Sequence, residues 1–158
     1  MAPAPHITIQ REDFDATAEV ARLTDGRTDI GAVVTFQGLC RDEAGQLSAL
    51  ELEHYPGMAE AEIRRIADEA AARWPLQGLV VIHRYGPIPA GGNIVLVAAA
   101  SSHRQAAFEA AAFLMDFLKT RAPFWKREHR ADGSHGGWVE ATEADDAAQG
   151  RWAPFTPR

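Results

Sequence analysis

The sequence has little that would support a disulfide framework, a metal centre or a membrane span. Cys40 is the only cysteine among 158 residues, which excludes an internal disulfide and a zinc site built from several cysteines. The six histidines are scattered, without the close pairs that metal sites use. The longest apolar run, residues 94–100, is far shorter than the roughly 18 residues that a membrane helix needs.

Signals for export and for nucleotide binding are also missing. The opening Met-Ala-Pro-Ala-Pro-His lacks the charged and apolar segments of a secretory leader, and with a single cysteine this predicts a cytoplasmic protein. There is neither a Gly-x-x-x-x-Gly-Lys loop nor a dinucleotide fingerprint, so we predict no cofactor. With 46% hydrophobic residues the chain suits one folded domain, which we place at residues 1–150, before an irregular tail at residues 151–158.

Charge is distributed unevenly along the chain. The formal net charge is −6, which argues against nonspecific binding of nucleic acid. Residues 101–130 nevertheless contain six Lys or Arg and three Asp or Glu, which gives this segment +3 and leaves −9 for the remainder. A basic segment within an acidic protein favours a small anionic substrate over a long polyanion.

The hydrophobic periodicity predicts a mixed α+β fold. Strands follow from two-residue alternation or β-branched runs, and helices from apolar residues at three- to four-residue spacing. The run at residues 31–38 is expected to be a buried strand, and strands 79–85 and 93–101 are expected to pair across the turn-rich residues 86–92. The predicted strands cover residues 6–10, 31–38, 49–55, 79–85, 93–101, 124–127 and 138–141, and the predicted helices extend from a cap at Asp13 to residue 23, from 58 to 74 and from 103 to 121.

The start of the third helix carries a candidate anion site. Ser102 and Gln105 match a capping box, which satisfies the first N–H groups of a helix. His103 and Arg104 then lie at the exposed amino end, where the helix dipole favours anions. Both side chains could instead be solvated surface residues, and the sequence leaves the two interpretations open. Arg41, in a loop at a strand end, is a weaker candidate for the same role.

Lys119 comes near the end of the third helix, shortly before a proline break at Pro123. It shares a helical face with Phe108, Ala112 and Met115, so we expect apolar neighbours to desolvate its ammonium in part. The alternative is a lysine that buries only its stem and reaches solvent at a helix end whose dipole favours a cation.

Lys126 follows the proline break in a predicted strand, on the face that carries Phe124 and Glu128. An ammonium group near a second cation can act as a base or a nucleophile, or can hold an anion, and the sequence leaves these roles open. Cys40 invites a thiol mechanism, but no histidine with an orienting acid is evident around it. We therefore interpret Cys40 as a small apolar residue at a strand end.

Six segments of the sequence match one protein family. The block Lys-Thr-Arg-Ala-Pro-Phe-Trp-Lys-Arg-Glu, residues 119–128, is highly specific. On these segments the chain resembles the large, catalytic subunits of molybdopterin synthase. The matching segments are Gly31-Ala-Val-Val-Thr-Phe-Gln-Gly-Leu-Cys-Arg41, Leu52-Glu-His-Tyr-Pro-Gly-Met58, Val81-Ile-His-Arg84, Ser102-His-Arg104, residues 115–128 and Trp138-Val-Glu-Ala141.

The resemblance implies an α/β-hammerhead fold, with a mixed sheet, two long helices and an additional small antiparallel β element. It implies a sulfurtransferase in which a homodimer of large subunits binds small ubiquitin-like subunits, giving a heterotetramer. Sulfur from the C-terminal Gly-Gly thiocarboxylate of the small subunit is transferred to cyclic pyranopterin monophosphate, which forms the dithiolene of molybdopterin in molybdenum cofactor biosynthesis. This chain ends in Thr-Pro-Arg without a Gly-Gly tail, so we expect the sulfur donor to be a separate polypeptide.

The same resemblance implies roles for nine residues. Lys119 matches the lysine beside the thiocarboxylate, and Lys126 matches a second essential lysine. The pterin-phosphate site is matched by Arg41, His103 and Arg104, with the last two supplied across the dimer interface. The segments that contact substrate also contain Leu39, Cys40, Arg127 and Glu128.

Two departures and two alternatives accompany this hypothesis. Cys40 stands where an aliphatic residue is expected, so sulfur chemistry is not assigned to it, and the loop at residues 129–137 and the tail lie outside the matching motifs. The alternative function is a noncatalytic module that docks an acidic protein tail, which predicts tail binding without product. RNA binding through the basic helix and strand is disfavoured by the overall acidity.

Overall fold

Three helices and two sheets form in the described part of the chain. The computed structural model describes residues 4–42, 44–139, 150, 152 and 154, so the predicted strand at 138–141 and the domain boundary after residue 150 fall partly outside it. The predicted α+β class with two long helices is confirmed, and no helix in the described ranges has the length and hydropathy of a membrane span. The helices are α1 (Ala16–Thr24), α2 (Met58–Arg73) and α3 (Arg104–Thr120). The strands are β1 (His6–Gln10), β2 (Ala32–Leu39), β3 (Leu47–His54), β4 (Leu76–Arg84), β5 (Gly86–Pro89), β6 (Asn93–Ser101) and β7 (Phe124–Arg130).

The larger sheet carries helices on both faces. Its strand order is β1-β4-β6-β2, with β1 parallel to β4 and the other neighbours antiparallel. Side chains alternate along β4, so Leu79 and Val81 join the core formed with α2 and α3, whereas Val80 and Ile82 pack against α1. The predicted pairing of the two long apolar strands is confirmed as the antiparallel pair of β4 with β6.

β2 lies at the edge of the larger sheet, where β6 is its neighbour within the described residues. Phe36 is 41% exposed and Leu39 is 54% exposed, so the prediction of a buried strand is wrong for this chain. A run of apolar and β-branched residues does not distinguish a central strand from an edge strand, because both present the same short-range pattern.

The smaller sheet is antiparallel and has the strand order β5-β3-β7. Its strand β7 follows α3 in the sequence after a short connection. β5 falls within residues 86–92, which the sequence predicts as a turn. Pro87 and Pro89 are tolerated there because β5 is an edge strand and their missing N–H groups break no central ladder. A small core beneath this sheet contains Cys40, Leu52 and Ile88.

Two helix starts differ from the predicted caps. α1 is capped by Asp15, whose carboxylate accepts a hydrogen bond from the third N–H of the helix at 3.1 Å, whereas the Asp13 carboxylate bonds to a side chain on β6. α3 begins after His103, and Ser102 accepts a hydrogen bond from the Gln77 amide instead of capping the helix. In both cases a tertiary partner competes for the polar side chain, and no local pattern reveals that partner.

Candidate active site

A cavity of about 930 Å³ opens between the smaller sheet, the end of β2 and the end of α3. Its walls come from segments that are far apart in the sequence: the residues that follow β2, strand β3, the last turn of α3 and strand β7. Six of the nine predicted site residues line this cavity, namely Leu39, Cys40, Arg41, Lys119, Lys126 and Glu128.

Lys119 reaches the cavity from the last turn of α3, beside Met115 and Leu118. Phe108 is 60% exposed, so the face that it shares with Lys119 is not the core face, and Lys119 itself is exposed. The expected desolvation of the ammonium is therefore wrong, because residue spacing identifies a common face but not which face packs on the sheet. The buried stripe of α3 contains Ala107, Ala110, Ala111, Phe113, Leu114, Phe117 and Leu118.

β7 presents alternate side chains to the cavity. Phe124, Lys126, Glu128 and Arg130 all line it, in agreement with the two-residue period of a strand. Trp125 also lines the cavity, although the alternation places it on the other face. The β3–β7 ladder holds this arrangement in register, since β7 pairs with β3 along its whole length.

Arg127 lies on the opposite face of β7 and does not line the cavity of this chain. Its guanidinium forms an ion pair with Glu51 at 2.8 Å and sits 4.4 Å from the centre of the Trp138 ring. Hydrogen bonds from Arg127 and then His129 lower the pKa of the Glu51 carboxyl below its ordinary value. The geometry therefore gives Arg127 a structural partner, and the contact with substrate that the resemblance implies for it stays a prediction.

His103 and Arg104 are also distant from the cavity of their own chain. Both are exposed at the start of α3, whereas Lys119 is in its last turn. At 1.5 Å per residue, the rise along α3 separates Arg104 from Lys119 by roughly 22 Å. One chain alone cannot bring these two groups to the same small substrate.

Cys40 is enclosed at the cavity wall, with 2% of its surface exposed. Its N–H donates to the Gly92 carbonyl at 2.8 Å, which anchors the chain where β2 ends. Burial raises the pKa of the Cys40 thiol, with Asp42 and Glu128 adding to the effect. The thiol is therefore protonated near neutral pH and is a poor nucleophile, as its interpretation as a small apolar residue predicts.

Four cations and one carboxylate line the cavity. The cations are Arg41, Lys119, Lys126 and Arg130, and Glu128 is the carboxylate, so the lining carries +3 although the chain carries −6. Cations that converge on a concave surface favour anionic ligands such as a phosphate or a carboxylate-like group. Among the described residues, no three His, Cys, Asp or Glu side chains come together as metal ligands.

The sequence interpretation missed Arg130 and His83, which also line the cavity. Arg130 could have been found by continuing the two-residue alternation from Lys126 through Glu128. His83 lies in the buried strand β4, and its position beside the cavity depends on how the two sheets meet. Nothing in the neighbouring sequence indicates that position.

Comparison with known proteins agrees with this geometry. The sequence profile described as MoaE protein matches residues 9–121. The molybdopterin synthase catalytic subunit of Mesorhizobium japonicum is 74% identical over 149 residues, which cover 94% of either chain. The solved MoaE protein from Burkholderia ambifaria MC40-6 superposes with a TM-score of 0.80 at 47% identity, covering 94% of this chain and 97% of that one. A solved complex of subunits 1 and 2 of molybdopterin-converting factor from Helicobacter pylori 26695 shares the fold, with a TM-score of 0.67, 20% identity and coverage of 87% and 90%.

Proposed function

This chain belongs to the MoaE protein family, whose curated relatives are molybdopterin synthase catalytic subunits, and we propose that its cavity is the sulfur-transfer site of that sulfurtransferase. The observation that carries the proposal is the convergence of Lys119 and Lys126 on one cavity. A helix end and a proline break separate the two lysines in the sequence, yet the fold brings both to the same space. The two substrates, the thiocarboxylate of a small subunit and cyclic pyranopterin monophosphate, are both anionic.

The ammonium groups of Lys119 and Lys126 stabilise the negative charge on the thiocarboxylate and on the reacting pterin. The thiocarboxylate sulfur bonds to a carbon of the pterin as an oxygen substituent leaves that carbon. Water then attacks the acyl carbon of the resulting thioester, so the sulfur–acyl bond breaks and the donor tail leaves as a carboxylate. Negative charge moves between the donor and the pterin during these steps. Cations that are already in position stabilise this charge without having to reorganise. Lys119 is held by the end of α3 and Lys126 by the β3–β7 ladder, so both come from ordered elements.

We assign the pterin phosphate to Arg41 and to His103 and Arg104 of a second copy of the chain. Arg41 lines the cavity, whereas the other two are exposed at the far end of α3. A second copy can supply them if the large subunits form a homodimer. Phe36 and other exposed apolar side chains of the edge strand β2 offer a surface for such a partner.

The sulfur donor in this proposal is a separate small ubiquitin-like subunit. Leu39, Lys119 and Lys126 are exposed although they line the cavity, so the cavity is open to an extended C-terminal tail. Two large and two small subunits then form a heterotetramer. We place the complex in the cytoplasm because Cys40 is the only cysteine in the sequence, a composition that suits a reducing compartment.

Reconstitution tests this function. The purified chain is mixed with thiocarboxylated small subunit and cyclic pyranopterin monophosphate, and molybdopterin is measured by mass spectrometry. Lys119→Ala should keep the fold and the complex with the small subunit but lower product formation by at least about 100-fold. Arg121→Ala is the matched control, because Arg121 is an exposed cation that packs over Phe117 and does not line the cavity.

The outcomes separate the competing functions. Product from the wild-type chain and from Arg121→Ala, with none from Lys119→Ala, supports catalysis at this cavity. A wild-type chain that binds the small subunit but forms no molybdopterin supports the noncatalytic docking module instead. Full activity in Lys119→Ala contradicts the role assigned to this lysine.

A further inference from the structure

His83 lies where the two sheets meet, at the edge of the cavity. It belongs to β4, is 9% exposed and lines the cavity. Its ring stacks on Phe124, the first residue of β7, with ring centroids 3.8 Å apart and planes inclined by 17°. His54 of β3 stacks on the same phenyl ring at 5.8 Å and 25°. Phe124 is thus held by rings from both sheets, in the segment of chain between Lys119 and Lys126.

The hydrogen bond of the His83 ring defines its tautomer. Nδ1 lies 2.8 Å from the carbonyl oxygen of Arg84. A carbonyl oxygen only accepts hydrogen bonds, so Nδ1 carries the hydrogen and donates it. Nε2 therefore carries no hydrogen and can accept a hydrogen bond, and His83 is one of the residues that line the cavity.

The surroundings of His83 keep the imidazole uncharged. Burial lowers its pKa to about 4 against the opposing effect of the hydrogen bond to Arg84, and the charges of Lys119 on α3 and His54 on β3 act in the same direction as burial. The ring is therefore neutral near pH 7. A neutral acceptor can face an ammonium group without electrostatic repulsion.

We propose that His83 is a positioning residue for sulfur transfer, which holds Phe124 by stacking and accepts a hydrogen bond at Nε2 from the Lys119 ammonium. The inference rests on the proposed function of the cavity. Stacking fixes the turn between Lys119 and Lys126, so the two cations keep their separation when anionic substrates enter. The acceptor orients Lys119, which is otherwise an exposed, long side chain with large rotamer entropy.

Two substitutions distinguish the role of the His83 ring in stacking on Phe124 from its role as a hydrogen-bond acceptor. His83→Phe keeps a flat ring against Phe124 but removes both ring nitrogens, whereas His83→Gln places an amide oxygen near the position of Nε2 and loses the ring. We expect kcat to fall about tenfold or more in His83→Phe, with KM for the small subunit changed by less than about twofold. His83→Gln should recover part of this loss. Unchanged kcat in folded His83→Phe overturns the proposal.

Nuclear magnetic resonance gives a readout that does not depend on turnover. Lys119 and Lys126 are the only lysines in the chain, so the ¹⁵Nζ spectrum contains two lysine signals, and Lys126→Arg assigns them. Loss of the acceptor should make the Lys119 ammonium protons exchange with solvent at least about threefold faster in His83→Phe, with the Lys126 signal unaffected. Equal exchange of Lys119 in both proteins contradicts the hydrogen bond.

If His83→Phe does not fold, a second variant tests the stacking. Phe124→Leu removes the stacked ring from the other side and leaves both nitrogens of His83 in place. It should lower kcat by about tenfold as well, and wild-type kcat in this variant overturns the stacking role. A wild-type chain that forms no molybdopterin defeats the proposed function, whereas the exchange comparison at Lys119 still tests the inference about His83.

Discussion

The Arg127 guanidinium lies 2.8 Å from the Glu51 carboxylate, on the face of the smaller sheet that points away from the cavity. Arg127→Ala should therefore reduce stability and leave substrate binding unchanged. The change removes this ion pair and the contact over Trp138, and leaves Glu51 with its hydrogen bond to His129. We expect a loss of about 1–2 kcal/mol in the free energy of unfolding, measured with urea at pH 7.

Lys126→Ala is the matched control for Arg127→Ala, because the neighbouring residue lies on the same strand but faces the cavity. It should lower activity and change stability by less than about 0.5 kcal/mol. KM for the pterin should stay within about twofold of wild type in Arg127→Ala. A tenfold rise in that KM with the fold intact would instead support the substrate contact that the family resemblance implies for Arg127.

The parts of the site that could be predicted from the sequence are those that depend on local geometry. Pro123 ends α3 and begins a strand, and the two-residue period of that strand places Lys126 and Glu128 on one face. Arg41 likewise follows a strand end and reaches the cavity. Each of these positions follows from backbone rules that act over a few residues.

The remaining features depend on packing between distant segments. The core face of α3 is chosen by the sheet beneath it, so Phe108 is exposed although its spacing from Lys119 resembles a core stripe. Ser102 bonds to Gln77 instead of capping a helix, and this partner is distant in the sequence. His83 reaches the cavity because the two sheets meet there, which no periodicity encodes.

Cys40→Ala should retain activity, even though the enzyme transfers sulfur and Cys40 lines the cavity. Burial raises the pKa of this thiol, so the nucleophilic thiolate is scarce near neutral pH. We expect kcat within about threefold of wild type and a stability loss of about 1 kcal/mol from the small volume removed. Product formed by folded Cys40→Ala at less than a hundredth of the wild-type rate would instead assign the thiol a part in sulfur transfer.

Mixing two inactive variants tests whether one active site is built from two copies. Lys119→Ala removes the lysine from a cavity, and Arg104→Ala removes the arginine that a chain would supply to its partner. In a dimer that holds one copy of each variant, one site lacks both groups and the other site has both. If the copies exchange at random, half of the dimers are mixed, and activity should recover to about a quarter of wild type.

The control for this mixing experiment is a chain that carries both substitutions, Lys119→Ala and Arg104→Ala. Mixed with either single variant it leaves no dimer with an intact site, so no activity should return. Activity is measured as molybdopterin formed after subunit exchange, with the dimer confirmed by analytical ultracentrifugation. If the copies exchange and the mixture of single variants still recovers no activity, the assignment of Arg104 to a shared site is contradicted.

The folded chain should lose stability in acid because His83 is buried as a neutral imidazole. Its pKa is about 4 in the folded chain and about 6.5 when unfolded, so the unfolded state binds more protons between these values and stability falls as pH decreases. The linkage amounts to about 2 kcal/mol between pH 7 and pH 5. The lowered pKa of Glu51 does not affect this comparison. The stability that Glu51 contributes is fully present above about pH 4.5 and is lost only at lower pH.

His83→Phe should remove this pH dependence while keeping the stacked ring against Phe124. Urea unfolding at pH 7 and pH 5 should show wild type losing about 2 kcal/mol more than the variant over this interval. The variant also lacks the hydrogen bond to the Arg84 carbonyl, but that loss is the same at both pH values and cancels in the comparison. Parallel losses in the two proteins would mean that His83 titrates as an ordinary exposed histidine, and the neutral acceptor beside Lys119 would then lose its physical basis.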